Sequence, residues 1–204
     1  MFSYENTVQE KNAKIEWKLI MKIIEIRRHS KRGKDKGLTA EGRRIARIAA
    51  KDLKPPYTLL ISSPKRRARE TMEAFGFKNY SEDERFMTIQ AAAIEEIDQE
   101  AAGIAKEKGI SVLEAYFLIP KAKKALKDWG KKFFEAVIDV SKKLKEGEKA
   151  LIVSHGGSIE PAALLAFDEF DLKKISGPLD YCEGIKFYID KNKLVKIKVV
   201  RLKT

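Results

Sequence analysis

"IEIRRHSKRG", residues 24–33, runs an apolar strand into a histidine crowded by four basic side chains. Residues 22–27, "KIIEIR", alternate and then turn apolar, the pattern of a strand buried within a sheet. A loop follows to Gly37, and Thr39 is placed to N-cap a helix over about 40–53, with Ile45, Ile48, Ala49 and Leu53 on one face. "PP" at 55–56 ends that segment, and "YTLLIS" (57–62) reads as a second strand. Pro64 suits the start of a helix whose buried stripe is Ala68, Thr71, Met72 and Phe75. Residues 98–118 carry a weaker helical pattern, interrupted by Gly109 and halted near Pro120. From Lys121 to about Lys145, Leu126, Trp129, Phe133, Val137, Val140 and Leu144 recur at helix spacing. "KALIVS" (149–154) is a third strand, and "HGGS" turns into a helix near 158–169. "IKFYID-KN-KLVKIKVVRL" reads as a β-hairpin. Strands alternating with helices predict an α/β fold, a three-layer α/β/α sandwich around a mostly parallel central sheet.

The totals bound this reading. A chain of 204 residues is long enough for one sizeable domain and short for two. No repeat, low-complexity tract or linker divides it, so residues 21–204 are expected to form a single domain. The first twenty residues fit the plan poorly and read as an N-terminal extension, with Met21 an expected alternative start. They mix both charges and lack the apolar core of a secretory signal. The apolar runs are about half the length that spans a bilayer, so no membrane association is expected. The single Cys182 fits a reducing cytoplasm. The net charge of +12 has two readings. One is attraction for an anionic partner; the other is the dispersed Lys/Glu surface of a heat-adapted protein. Lysines recur along the whole chain, which favours the second reading, but "RRHSKRGKDK" concentrates charge around one histidine.

A lone histidine is ordinarily a surface or core residue with no chemistry. The chain has two, and "EIRRHS" (25–30) and "LIVSHGG" (151–157) place each at the C-terminal end of a predicted strand. Ligands bind at that edge of an open parallel sheet. A third strand end, "ISSPKRRARET" (61–71), brings Arg66, Arg67 and Arg69 to the same edge. Imidazoles and guanidiniums gathered in one volume call for an anion, and phosphate offers its oxygens to Arg forks.

Together, "RH" at 28–29, "LTAEG" at 38–42, "SSPKRRARET" at 62–71, "IEE" at 94–96 and "SHGG" at 154–157 resemble the histidine phosphatase superfamily, also called phosphoglycerate-mutase-like. Each motif alone is weak; in this order, using both histidines, they form a strong set. The resemblance implies that His29 accepts the phosphoryl group as a phosphohistidine. It implies a phosphate pocket of Arg28, Arg67 and His155, with Arg66 and Arg69 outside it, and Glu96 as proton donor to the leaving oxygen. Glu95, Asp98 and Glu100 are rivals for that last role. With arginines neutralising the phosphate, no metal or other cofactor is expected. Two departures matter. Ser30 stands where the family has glycine, and its hydroxyl is an added candidate phosphate donor. Arg32 resembles a later phosphate-binding arginine of the acid-phosphatase branch, yet the "HD" of that branch is missing. After Glu96 the chain reads "IDQEAAG", so the resemblance names no substrate; a helical cap near 97–130 is expected over the pocket.

The leading expectation is a metal-independent phosphatase acting on a small phosphomonoester or a phosphorylated protein side chain. A phosphoglycerate-type mutase would use the same intermediate. A non-catalytic phosphate- or nucleic-acid-binding protein is the third reading, but no helix–turn–helix, zinc or aromatic–basic motif supports specific nucleic-acid recognition. The C-terminal hairpin offers a sheet edge through which a homodimer could form.

Overall fold

The alternation along the first strand decides what each face of the sheet meets. In the computed structural model, which describes residues 21–89 and 97–202, β1 (Lys22–Arg28) sends Ile24 and Ile26 into one core and turns Glu25 and Arg27 to the opposite face. The remaining strands are β2 (Leu59–Ser62), β3 (Ser81–Glu82), β4 (Lys149–Ser154), β5 (Gly184–Asp190) and β6 (Lys193–Val200). They form one six-stranded sheet in the order β3-β2-β4-β1-β5-β6. β3, β2, β4 and β1 are mutually parallel; β5 and β6 complete the sheet antiparallel, so it is mixed.

Helices cover both faces, as the three-layer reading requires. On one side, α1 (Ala40–Ala49) and α2 (Arg66–Ala74) bury Ala46, Ala49, Ala68 and Met72 against Leu151 and Val153 of β4. On the other lie α3 (Asp98–Lys108), α4 (Val112–Leu118), α5 (Pro120–Lys142) and α6 (Ile159–Leu164). The α5 stripe of Leu126, Phe133, Val137 and Val140 is fully buried there with Ile24, Ile152 and Phe187.

Punctuation in the sequence accounts for most element ends. Thr39 caps α1 by accepting from the Gly42 amide at 2.9 Å. Gly109 ends α3 in the left-handed conformation, and Ser111 with Glu114 forms a capping box on α4. Pro120 begins α5 instead of merely halting what precedes it, because a first-turn proline has no amide to waste. The helix expected over 158–169 is shorter, ending at Leu164. Among the described residues no helix is long and apolar enough to cross a membrane.

Candidate active site

Register places the chemistry. β1 and β4 pair in parallel with Arg28 opposite Ser154, so the next residue of each strand, His29 and His155, leaves the sheet at one edge. β2 flanks β4, with Ser62 opposite Val153, and delivers Ser63 and the start of α2 there too. The two imidazoles meet edge to face with centroids 5.1 Å apart. The His29 amide donates to the Ser154 carbonyl and the Ser63 amide to the Val153 carbonyl, which extends the ladder into the site.

Each ring is held by a partner that fixes its protonation. The Ser30 carbonyl, 2.7 Å from His29 Nδ1, can only accept, so Nδ1 carries the proton and Nε2 the lone pair. Arg67 Nε donates to that Nε2 at 2.9 Å. His155 Nε2 lies 2.7 Å from Ser63 Oγ, while its Nδ1 is buried without a partner among the described residues. His29 and His155 are 7% and 2% exposed. Burial first, then the nearby guanidiniums, hold their pKa values at about 3 and about 2, so both are neutral near pH 7. His155 is thus a neutral ring where no anion lies beside it.

The cations come from three elements. Successive strand residues face opposite ways, so Arg27 is fully buried with Glu25 at 2.6 Å while Arg28 reaches the site. Arg28 donates to the Leu179 carbonyl, lies 4.9 Å over the Tyr181 ring, and has no partner for Nε among the described residues. A Cβ on Gly156 would come 2.9 Å from that Nε, so glycine lets the arginine lie against the turn after β4. Gly157 takes φ +81°, which that turn requires. Arg67 sits in the first turn of α2, which has no side-chain cap and no acid in its first turn, so helix amides and dipole face an anion unopposed. Arg32 is exposed, with no carboxylate partner among the described residues, and its charge reaches both His29 and Arg67. Arg66 is drawn off by Glu70 at 2.6 Å and Asp35 at 3.2 Å, and Arg69 by Glu82 at 3.4 Å.

Ser30 requires a correction. Its hydroxyl donates to the Gly42 carbonyl at 2.6 Å and its amide to Thr71 Oγ1 at 2.9 Å, and it is fully buried. It therefore locks the loop onto α1 and α2 and offers nothing to a phosphate. The position does not need glycine here, since Ser30 is not among the residues with positive φ. Glu96 and Glu95 lie outside the described residues. Of their rivals, Asp98 accepts from the Tyr116 hydroxyl beside the site, and Glu100 is exposed.

Four residues of the site were not singled out from the sequence: Ser63, Lys65, Glu160 and Tyr181. Glu160 is fully buried and accepts from the Gly157 amide at 2.8 Å and the Leu179 amide at 3.1 Å, bracing the turn beneath Arg28. Its spacing after "SHGG" was the one readable signal. Lys65 acts on His155 through charge. Among the described residues no group of three or more His, Cys, Asp or Glu could hold a metal ion. Two neutral imidazoles inside a ring of cations can bind a tetrahedral anion and present one nitrogen lone pair to it.

Solved structures share the fold. Phosphoserine phosphatase from Entamoeba histolytica, solved with 3-phosphoglyceric acid, is 20% identical with a TM-score of 0.61, over 90% of this chain and 98% of that one. Mycobacterial glucosyl-3-phosphoglycerate phosphatase gives 20% and 0.59, over 87% and 96%. Phosphoglycerate mutase from Bacillus anthracis gives 16% and 0.57, over 92% and 95%. At these identities they show a shared fold. No curated protein matches the chain significantly. The model of the histidine phosphatase superfamily (branch 1) matches residues 24–199, nearly the whole described domain, and by that match the chain belongs to this superfamily.

Proposed function

We propose that the protein is a phosphatase that hydrolyses a phosphomonoester through a phosphohistidine on His29. The observation that carries this reading is the Nε2 lone pair of His29, fixed by the Ser30 carbonyl and met by Arg67 at 2.9 Å. A phosphate entering the cluster takes over the Arg67 fork and frees that lone pair. Nε2 then attacks phosphorus, an N–P bond forms, and the ester P–O bond breaks. The departing alkoxide takes a proton from the acid, which the family resemblance assigns to Glu96. In the second half, that carboxylate removes a proton from water as the water oxygen attacks phosphorus and the N–P bond breaks. Inorganic phosphate leaves, and His29 is again neutral.

The electrostatics favour these steps. Transferred phosphoryl groups pass through a loose transition state with charge on the equatorial oxygens, which fixed guanidiniums stabilise without reorganising. Because His29 is neutral near pH 7, no proton must leave it before attack. As the dianion enters, it supplies the charged partner that burial denies His155 and offsets the nearby cations, which favours a proton on His155 and a further stabilising charge.

The test is hydrolysis of p-nitrophenyl phosphate with EDTA present. His29→Ala is expected to lose turnover to background, Arg67→Ala about 10²–10³-fold, and Glu96→Gln about 10²–10⁴-fold with a poor leaving group. Acid-labile, alkali-stable radiolabel on the wild-type chain, absent from His29→Ala, would mark the intermediate. Activity that persists in His29→Ala would reject the assignment. Efficient isomerisation of 3-phosphoglycerate, dependent on a bisphosphate primer, would move the protein to the mutases.

A further inference from the structure

A cavity of about 520 Å³ adjoins the phosphate cluster and shares Arg28, Gly156 and Gly157 with it. Its lining is mixed, with apolar side chains beside Thr88, Ser111 and Tyr116. Ile89, Val112, Leu113 and Leu126 supply apolar wall, and Val112 is 43% exposed, surface that a bound group would cover. The charged side chains lining it are Asp98, Glu160 and Arg28 among the described residues. Arg28 is committed to the phosphate side, its guanidinium held by the Leu179 carbonyl and Tyr181. Glu160 is committed to the backbone amides of Gly157 and Leu179. Asp98, at the start of α3, accepts the Tyr116 hydroxyl on Oδ1, and its Oδ2 has no partner among the described residues.

We infer that the site selects phosphomonoesters whose alcohol portion is apolar beside the ester oxygen, ends in a hydrogen-bond donor, and bears no anionic group. The inference rests on the hydrolytic reading above. Apolar walls desolvate the body of such an alcohol, and Asp98 accepts from a distal hydroxyl or ammonium. A carboxylate on the substrate would instead lie between apolar walls facing the Asp98 carboxylate. It would lose hydration and, among the described residues, find no lining cation but Arg28, which the phosphoryl group already engages. Specificity of this kind comes as much from the penalised competitor as from the favoured ligand.

The experiment compares kcat/KM for phenyl phosphate, O-phosphoethanolamine and 3-phosphoglycerate in the full-length protein. Both anion-free esters are expected to exceed 3-phosphoglycerate at least about tenfold, the usual effect of one unpaired buried group. Val112→Lys, which places a cation at the cavity rim, should narrow that gap by improving 3-phosphoglycerate. Asp98→Asn should raise KM for phosphoethanolamine about tenfold more than for phenyl phosphate; a purely structural Asp98 would move both alike. Wild-type turnover of 3-phosphoglycerate equal to or above the others, abolished by His29→Ala, overturns the cavity assignment and leaves the hydrolytic one intact. Should no ester turn over, calorimetric binding to the same protein decides. Preference for phenyl phosphate upholds the cavity and rejects hydrolysis; preference for 3-phosphoglycerate rejects the cavity.

Discussion

His29 and His155 are buried as neutral rings, a state the unfolded chain does not share. An unfolded histidine titrates near pH 6.5, whereas burial and the surrounding guanidiniums hold these two at about 3 and about 2. The folded pKa is below the unfolded one, so their contribution to stability is fully present above about pH 6.5 and is lost as pH falls toward the folded values. Between pH 7 and pH 5 the loss is up to about 2 kcal/mol per histidine. Urea denaturation at the two pH values should show it, and His155→Gln should be measurably less acid-sensitive than wild type; equal sensitivity would mean the ring is not held neutral. At this scale the sequence was legible for where His29, His155, Arg28 and Arg67 sit, because each ends or follows a strand or opens a helix at a known edge. Ser30 was misread, because nothing in "RHS" tells whether the hydroxyl turns toward an anion or toward the Gly42 carbonyl. Ser63 and Tyr181 were silent because their value lies in contacts with His155 and Arg28 made across the fold.

Elements pack as they do here because particular positions carry no side chain. Gly130, in the interior of α5, faces α6 so closely that a Cβ would come 2.7 Å from the Pro161 carbonyl carbon. Helix propensity alone predicts that Gly130→Ala stabilises by about 1 kcal/mol. Overpacking against a backbone that cannot yield costs about 1–3 kcal/mol, so the net expectation is destabilisation, read as a lower urea midpoint with unchanged slope. Activity should fall with it, since α6 opens directly from the turn after His155 and Trp129 Nε1 donates to Ser158 Oγ of that turn at 3.1 Å. A more stable variant would show that α6 shifts freely. The long amphipathic helix was legible because its apolar stripe repeats over about five turns. β3 was not, since "SE" is two exposed residues with no alternation to read. Nor was the early end of α6, which reaches only Leu164 although apolar residues continue to Phe167.

At the scale of the molecule, hydrophobic pattern says that a strand is buried but not which strand lies beside it. The sheet order β3-β2-β4-β1-β5-β6, and the docking of the expected C-terminal hairpin antiparallel onto β1, were therefore beyond the sequence; the family motifs supplied the convergence that periodicity could not. That order brings three parallel strands to one edge and assembles Arg28, Arg32, Lys65 and Arg67 around two neutral rings. Burial, followed by the charges of Arg32 and Arg28, lowers the pKa of Arg67, so its charge is less favourable in the folded protein than in water. The linkage sign is that of a base with a depressed pKa: at pH 7 the charged form weighs against the fold. Arg67→Met keeps the apolar stem and removes the charge. It is expected to raise the urea midpoint in chloride buffer, by an amount typical of relieved active-site strain, about 0.5–2 kcal/mol. Phosphate should reverse the ranking. At about one hundred times its dissociation constant a ligand adds about 2.7 kcal/mol to the protein that binds it, and the variant, lacking the guanidinium proposed to hold the anion, should gain far less. The measurement is a pair of denaturation curves for each protein in chloride and in phosphate at matched ionic strength. If Arg67→Met is the less stable protein in both buffers, the bond from Arg67 Nε to His29 outweighs the repulsion, and the cluster is held together by its own contacts instead of waiting for an anion.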